Sequence, residues 1–418
     1  MTSGSTASSQ PNVFVRLLST KGAILSGAVF TLISLYPFLF DDDTRLRLSF
    51  DLTIYQGAIK HWLASGDLYG WALPPEKRYG VTYPPFAALF FSPINLLDSP
   101  RTLNAVFLFV NMAATVAVLV LSFRSLGLSM RLCWSLSFWL FPLSLMTFPL
   151  HTNMWMGQIN MILLLLMLVD GLLLSGTKFS GIASAIAASI KMTPALFIIF
   201  FLACKDWGGV LRFILTGCAG IALSFAVDAQ VSWDFFTRRI FEGSRVGSIV
   251  EPLSFNILSE TSRLFFQPVN SIFYALIALV LLWIGFKSTR LLSQNNQLLL
   301  ATCTVGFLML MVSPISWNHH WVWVLPAIIG AAVTGWRMND AAYIFLAVSG
   351  TVLFCLRFES WFSGHGWDIG YWPIWVVALH ALPGIWTIVF VALPFWRERI
   401  VRTSEMQVNQ SAPLTSLE

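Results

Sequence analysis

The chain has 418 residues, of which 56% are hydrophobic and 11% charged, with a formal net charge of +5. A soluble domain carries roughly 25% charged residues, so water is not the main solvent of this one. No basic run is interleaved with aromatic residues, which sets nucleic acid aside as a partner, and the positive surplus suits a face held against anionic lipid.

Taken in chain order, residues 1–22 read as a cytoplasmic tail. Residues 1–12, like 403–418 at the other end, are rich in Ser, Thr, Gln and Asn and are expected to be disordered. The first apolar run, Gly22 to Phe40, lacks a small-residue cleavage site and predicts a retained span. Asp41, Asp42 and Asp43 follow as a solvated acidic cluster, and Ile54 to Leu63 predicts an amphipathic helix lying on the membrane. Further apolar runs are Val106 to Phe123, Ile159 to Leu174, Ile272 to Phe286, Leu298 to Val312 and Ile374 to Trp396. Several approach the roughly 20 residues a helix needs to cross hydrocarbon. The alternation of a membrane barrel is absent, so helices are the only way to satisfy the backbone in lipid.

Tryptophans such as Trp134, Trp155, Trp207, Trp317, Trp372 and Trp396 cluster near the run ends, where they anchor at the headgroup level. Cys133, Cys204, Cys218, Cys303 and Cys355 fall in or beside apolar segments without a Cys-x-x-Cys spacing and read as packing residues. No repeat of fixed period is visible, against the expectation for a repeat-built transporter.

Lys and Arg in short loops set the orientation. Arg16 and Lys21, Arg124 and Arg131, Lys178, Lys205 and Arg212, Lys287 and Arg290, Arg337, and Arg397, Arg399 and Arg402 mark the cytoplasmic side. Residues 41–100, 151–158, 228–268, 313–320 and 359–370 then lie outside. Residues 179–204 carry the inside signal at both ends, with Lys191 and Pro194 between, which predicts a pair of short helices that dips in and returns with Lys191 near the outer side. The result is an all-α polytopic membrane protein of about 10 to 12 transmembrane helices, this pair included. Residues 23–396 form its membrane domain and 397–418 a second cytoplasmic tail.

Polar groups gather at the outer mouth. Asp51 lies a few residues beyond the first span and admits two readings: a general base that takes a proton from an attacking sugar hydroxyl, or a solvated loop carboxylate or helix cap. Gly157-Gln158-Ile159-Asn160 opens a span from the outside, with Gln158 and Asn160 as substrate contacts or as caps between spans. Lys191, Arg263, His319 and His320 are the groups suited to a phosphate. For the histidine pair, interfacial hydrogen bonding is the plain alternative, and no third ligand is spaced for a metal. His61, His151, His365 and His380 have weaker claims.

These motifs together carry a resemblance. Asp51-Leu-x-x-Tyr55, Tyr83-Pro84-Pro85, Gly157-Gln158-x-Asn160, Lys191-x-x-Pro194 and Ser313-Pro314-x-Ser316-Trp317-x-His319-His320 resemble, in family order over about residues 45–325, the actinobacterial polyprenyl-phosphate-mannose-dependent α-(1→2)-mannosyltransferases of the GT-C superfamily. The resemblance implies a GT-C-type bundle in the plasma membrane with an active site built from outer loops. It implies a polyprenyl-phosphate-mannose donor, a mannosylated phosphatidylinositol or derived lipoglycan as acceptor, and Asp51 as the base, with Tyr55, Tyr83, Gln158, Asn160 and Asn256 among the substrate contacts. The lipid-linked sugar is a substrate, so no cofactor and no metal are called for. Where the family often shows Asn-Gln-Ser followed by an Arg, this chain has Ser254-Phe255-Asn256-Ile257-Leu258 and then Arg263, so sugar and acceptor choice stay open. A polyprenyl-phosphate-arabinose donor, a lipid or solute transporter with Asp170, Lys191 and Asp228 at membrane depth, and an assembly scaffold are the competing readings.

Overall fold

The computed structural model describes residues 13–40, 49–74, 79–242, 253–265, 268–356 and 373–411. The acidic cluster 41–43, the outer segment 359–370 with His365, Trp372, and the tail segments 1–12 and 412–418 lie outside the described residues.

Among the described residues the fold is helical, with sheet-like pairing confined to isolated bridges between Ala72 and Gly80 and between Ser254 and Trp317. Five helices are long and apolar enough to cross a membrane: Lys21–Phe40, Pro100–Ser125, Trp207–Val227, Ser271–Gln294 and Asn318–Met338, the first and last each counted across a break. Two bent pairs raise the count to seven: Met130–Ser144 with Phe148–Met156, turned by 82°, and Ile374–His380 with Leu382–Glu398, turned by 42°. The sequence count of ten to twelve is therefore not met by elements of full span length. The remainder are shorter apolar helices, Pro85–Leu96, Asn160–Leu174, Thr193–Cys204, Leu298–Met311 and Ala341–Cys355.

The shortening has local causes. Proline cannot donate to the helix ladder, and Pro142 and Pro149 flank the 82° turn. That turn makes the expected outer loop 151–158 largely helix, since Phe148–Met156 covers most of it. The helix Leu298–Met311 rises only about 21 Å at 1.5 Å per residue, and every side chain from Leu299 to Met311 is buried. It is apolar all round because it is surrounded by protein. By contrast only 17% of the Trp207–Val227 window is buried, against 61% for Pro100–Ser125. Leu211, Leu215, Leu223 and Val227 are exposed along it. Such apolar surface is at home in lipid and a liability in water.

Residues 179–204 form the expected hairpin. The helix Ile182–Ile190 ends at Lys191, whose backbone is extended, and the chain returns through the tight turns Thr193–Phe197 and the helix Ile198–Cys204. Asp206 closes the base: its carboxylate accepts from Gly176 N–H at 3.0 Å, from Gly209 N–H at 2.8 Å and from the Ser180 hydroxyl. The segment thus enters and leaves at one end of the bundle and turns at the other.

That lower end collects the basic loops. Cys204 contacts Ser293 near Arg290, Gln297 reaches Met338 beside Arg337, and Asp340 pairs with Arg397. Arg212 lies with Asp206 and donates to Ser180 O at 2.8 Å, close in sequence to Lys178. The opposite end holds the polar residues of the site.

Candidate active site

The helix Phe50–Ser65 starts the site. Its cap position is Ser49, whose backbone N–H and hydroxyl both reach Asn104 Oδ1, at 3.0 and 3.2 Å, instead of capping the helix. Asp51 sits in the first turn, where the helix dipole favours negative charge. It does not cap either: its Oδ2 is buried with no hydrogen-bond partner. Leu52, Ile54, Tyr55, Gln56, Ala58 and Ile59 pack inward, so the helix is docked on the bundle along one face.

Gly157 delivers the next residue. It ends the helix Phe148–Met156 at φ +70°, and a Cβ there would lie 2.8 Å from Leu52 Cγ and 2.9 Å from Ser49 Cβ. Only glycine accepts that conformation cheaply, and no other residue lets the two helix ends approach this closely. Gln158 is thereby set beside Asp51. Its Oε1 accepts from the Tyr83 hydroxyl at 3.3 Å and the Tyr55 hydroxyl at 3.4 Å, while those hydroxyls lie 3.0 Å apart. The amide N–H of Gln158 is left for the Asp51 carboxylate. Burial pushes the Asp51 carboxyl up to about 7, against the pull of the Gln158 hydrogen bond and the Lys191 charge. Burial likewise raises Tyr55 and Tyr83, which therefore remain protonated donors.

The hairpin tip adds the cation. Lys191 Nζ donates to Asn160 Oδ1 at 3.0 Å, lies 2.9 Å from His320 Nε2 and stands 5.3 Å from the centre of the Tyr83 ring. An ammonium has no lone pair with which to accept, so opposite a charged Lys191 the His320 Nε2 is the acceptor and that nitrogen is unprotonated. Asn160 Nδ2 donates to His319 O at 3.1 Å and to Asn153 Oδ1 at 3.2 Å. Beneath the ammonium lies a small cavity of about 30 Å³ lined by Asn160, Lys191, His320 and apolar side chains such as Met167 and Met309, room for a water molecule.

The structure thus brings together Asp51, Tyr55, Tyr83, Gln158, Asn160, Lys191 and His320. His319 contributes its backbone oxygen to Asn160 and keeps a buried Nδ1 without a hydrogen-bond partner. Asn256 and Arg263 belong to a neighbouring framework. Asn256 caps the helix Ile257–Leu264 by accepting from Ser259 N–H at 2.8 Å, and its Nδ2 donates to Ser254 Oγ at 2.9 Å. Arg263, fully buried, donates to Ser254 O at 2.7 Å, pairs with Glu260 at 3.0 Å and lies 3.3 Å from His380 Nδ1. Phe255 N–H to Ser316 O and Asn318 N–H to Leu253 O join this framework to the His319–His320 turn.

Asn111 and Asn153 went unnoticed in the sequence, yet Asn153 Nδ2 donates to Asn111 Oδ1 at 3.0 Å and carries the amide chain from Asn160 into the core. The available signal was a buried amide inside the apolar run Val106 to Phe123, since polar groups at such depth pair across helices. The two carboxylates of the transporter reading, Asp170 and Asp228, have structural partners. Asp170 accepts from Gly181 N–H, Ser184 N–H and the Ser184 hydroxyl, and Asp228 caps the helix Ala229–Thr237 and accepts from Trp62 Nε1. Among the described residues no group of three or more His, Cys, Asp or Glu side chains is placed to hold a metal.

A model of Glycosyltransferase family 87 matches residues 82–314, more than half of the chain. The chain belongs to that family. Within the matched region of this family 87 glycosyltransferase lie Tyr83, Gln158, Asn160, Lys191, Asn256 and Arg263, while Asp51, Tyr55 and the histidine pair fall outside it. The chain is 29% identical over 72% of its length to the polyprenol-phosphate-mannose-dependent alpha-(1-2)-phosphatidylinositol mannoside mannosyltransferase of Mycobacterium tuberculosis, covering 74% of that protein. It is 28% identical to the protein of the same description in Mycolicibacterium smegmatis, over 74% of this chain and 75% of the relative. A phosphatidylinositol pentamannoside mannosyltransferase of M. smegmatis is 28% identical over 68% of this chain and 72% of its own. No solved structure matches.

Proposed function

We propose that this glycosyltransferase moves mannose from polyprenyl-phosphate-mannose to a mannosylated phosphatidylinositol, or to the lipomannan or lipoarabinomannan grown from it, forming an α-(1→2) linkage with inversion. The observation that carries the reading is Asp51: a carboxylate with one buried, unpartnered oxygen, beside Gln158 and facing a cluster that contains the Lys191 ammonium. The relatives' descriptions name the donor and the acceptor class.

In this reading the ionised Asp51 takes the proton from the attacking acceptor hydroxyl. The hydroxyl oxygen bonds to the anomeric carbon from the face opposite the phosphate, and the bond from that carbon to the phosphate oxygen breaks. The polyprenyl phosphate leaves with the electron pair, stabilised by Lys191 and by neighbouring hydroxyl and amide donors. One base suffices because a phosphate needs no acid to leave once a cation meets it. No cofactor enters, since the donor arrives activated. Tyr55, Tyr83 and Asn160 hold the sugar and phosphate in place, and Arg263 and Asn256 stiffen the adjacent turn. The basic loops gathered at the far end support a plasma-membrane protein with both termini in the cytoplasm and this site outside, the shorter apolar helices completing a bundle of about 10 to 12 spans.

The test is transfer of radiolabelled mannose from polyprenyl-phosphate-mannose to a mannosylated phosphatidylinositol by purified wild type and Asp51→Asn in detergent. Transfer by wild type and its loss by at least a thousandfold in a folded Asp51→Asn is the expected result, in keeping with the upper range for general-base catalysis. Full activity in the variant removes Asp51 from the chemistry. Transfer only from polyprenyl-phosphate-arabinose replaces the sugar, and transport of labelled lipid without a new glycosidic bond replaces the reaction class.

A further inference from the structure

At the basic end of the bundle, away from the polar cluster around Asp51, the helices Ser271–Gln294 and Leu382–Glu398 part around a cavity of about 520 Å³. Trp283, Lys287, Arg290 and Gln294 line it from the first helix, Phe395 and Glu398 from the second. The positions on the first helix are three or four residues apart, so at 3.6 residues per turn they fall on one face. Along that face the chemistry changes with depth. The Trp283 and Phe395 rings meet edge to face, 5.2 Å between centres, at the end toward the membrane interior. Lys287 lies one turn nearer the helix end, and Arg290 and Gln294 follow it.

Two properties suit this cavity to a ligand that is charged at one end and apolar at the other. The cations are unspent: neither Lys287 nor Arg290 makes an ion pair or a side-chain hydrogen bond with a described residue, whereas Arg397, beside Glu398 in the chain, is held by Asp340. Like charges on neighbouring turns repel, and an anion from outside the chain relieves them. Two cations against the one carboxylate of Glu398 leave the cavity a net charge of +1, which matches the single negative charge of a phosphodiester. Toward the membrane interior both helices are apolar and open: Leu276, Leu279 and Val280 are exposed on the first, Ile385, Ile388 and Val389 on the second. Hydrocarbon chains cover such a surface at no cost. The cavity's volume lies within the roughly 300–1,000 Å³ of a small-ligand pocket, room for a phosphate headgroup and its glycerol.

We propose that this cavity holds the headgroup of an anionic diacyl phospholipid from the leaflet at the basic end, its phosphate on Lys287 and Arg290 and its acyl chains running past Trp283 and Phe395 along the two helices. Trp283 is half exposed and takes the headgroup-level position that suits an amphipathic ring. A zwitterionic phospholipid leaves the positive surplus uncompensated, and a soluble anion has nothing to lay on the apolar rings.

Native mass spectrometry tests it, with delipidated protein in detergent titrated with phosphatidylglycerol or with phosphatidylethanolamine of the same acyl chains. One tightly held phosphatidylglycerol, with phosphatidylethanolamine weaker on the order of tenfold, is the expected result. The double variant Lys287→Gln/Arg290→Gln is expected to raise the phosphatidylglycerol Kd on the order of thirtyfold. Arg131→Gln removes an exposed basic residue from Met130–Ser144, a helix packed against Lys21–Ser34 and Pro100–Ser125, and is expected to leave that Kd within about twofold. Equal binding of the two lipids, or an unchanged Kd in the double variant, overturns the site. An equal loss in Arg131→Gln overturns it as well, reducing the binding to the general attraction of a basic surface. If the double variant does not fold, wild type decides: photolysis with a phosphatidylglycerol bearing a diazirine near the head of one acyl chain retains the site when label falls on residues 283–294 and 395–398, and rejects it when label falls elsewhere. Neither readout involves sugar transfer, so the result stands apart from the proposed reaction.

Discussion

At the scale of the residue, the site is a matter of one carboxylate and what surrounds it. In the proposed reaction Asp51 acts as the base only when ionised, and burial raises its carboxyl to about 7, so protonation is expected to remove activity as pH falls. Because burial also lowers the Lys191 ammonium to about 7, rate is lost on the alkaline side as that cation is, and the log of kcat/KM is expected to drop on the acid limb, below about pH 7, with unit slope, about tenfold per pH unit. Gln158 donates to the carboxylate and so favours the charged form. Gln158→Leu is accordingly expected to move that limb to higher pH, which a kcat/KM profile from pH 5 to 9 measures; an unmoved limb would mean that another group titrates. The sequence showed the residue types and left their roles open. Asp51 reads equally as a helix cap until the structure shows Ser49 at the cap and Asp51 Oδ2 without a partner. Asn111 and Asn153 stayed hidden because a buried amide pair is recognised by its partner, and the two are 42 positions apart.

At the scale of the element, breaks in helices build the site. A helix end in the left-handed conformation at Gly157 sets Gln158 against the start of Phe50–Ser65, and an extended residue at the hairpin tip aims Lys191 at Asn160 and His320. Gly157→Ala places a Cβ against Leu52 and Ser49 in a conformation that costs a non-glycine residue about 1–3 kcal/mol. The expected outcome is a lowered unfolding midpoint in detergent and a fall in kcat of more than tenfold as Gln158 shifts from Asp51; wild-type kcat would show that this approach is not needed. The hairpin itself was legible, because lysines at both ends and Lys191-x-x-Pro194 in the middle contradict a simple crossing. The bent pair at Pro142 and Pro149 was not, because its second helix, Phe148–Met156, looked like a polar outer turn when read without the packing that buries Leu150, Asn153 and Met154.

At the scale of the whole molecule, the buried ion pair of Arg263 joins parts distant in sequence: the bridge between Ser254 and Trp317, the helix Ile257–Leu264, and His380 near the C-terminal helices. Removing one partner of a buried pair strands the other, at a cost of about 3–5 kcal/mol. Arg263→Ala is thus expected to lower thermal stability in detergent severely, with donor KM within about twofold in whatever protein remains folded; a KM defect without a stability loss would instead put the guanidinium on the donor phosphate. Packing at this scale also explains the span count. The all-round apolar helix Leu298–Met311 is short because it serves as core, with protein on every side.

The sequence by itself determined the solvent of this protein, its helical class, the distribution of basic loops and the reading of its ordered motifs as those of a lipid-linked-sugar glycosyltransferase. Hydrophobic runs, charge placement and motif order are local properties that a linear reading captures. Only the tertiary structure decided which polar residues lie together, that Arg263 and Asn256 both bond to Ser254, and that Gly217 faces an open groove. Those outcomes depend on distances between segments tens to hundreds of residues apart, and packing fixes such distances.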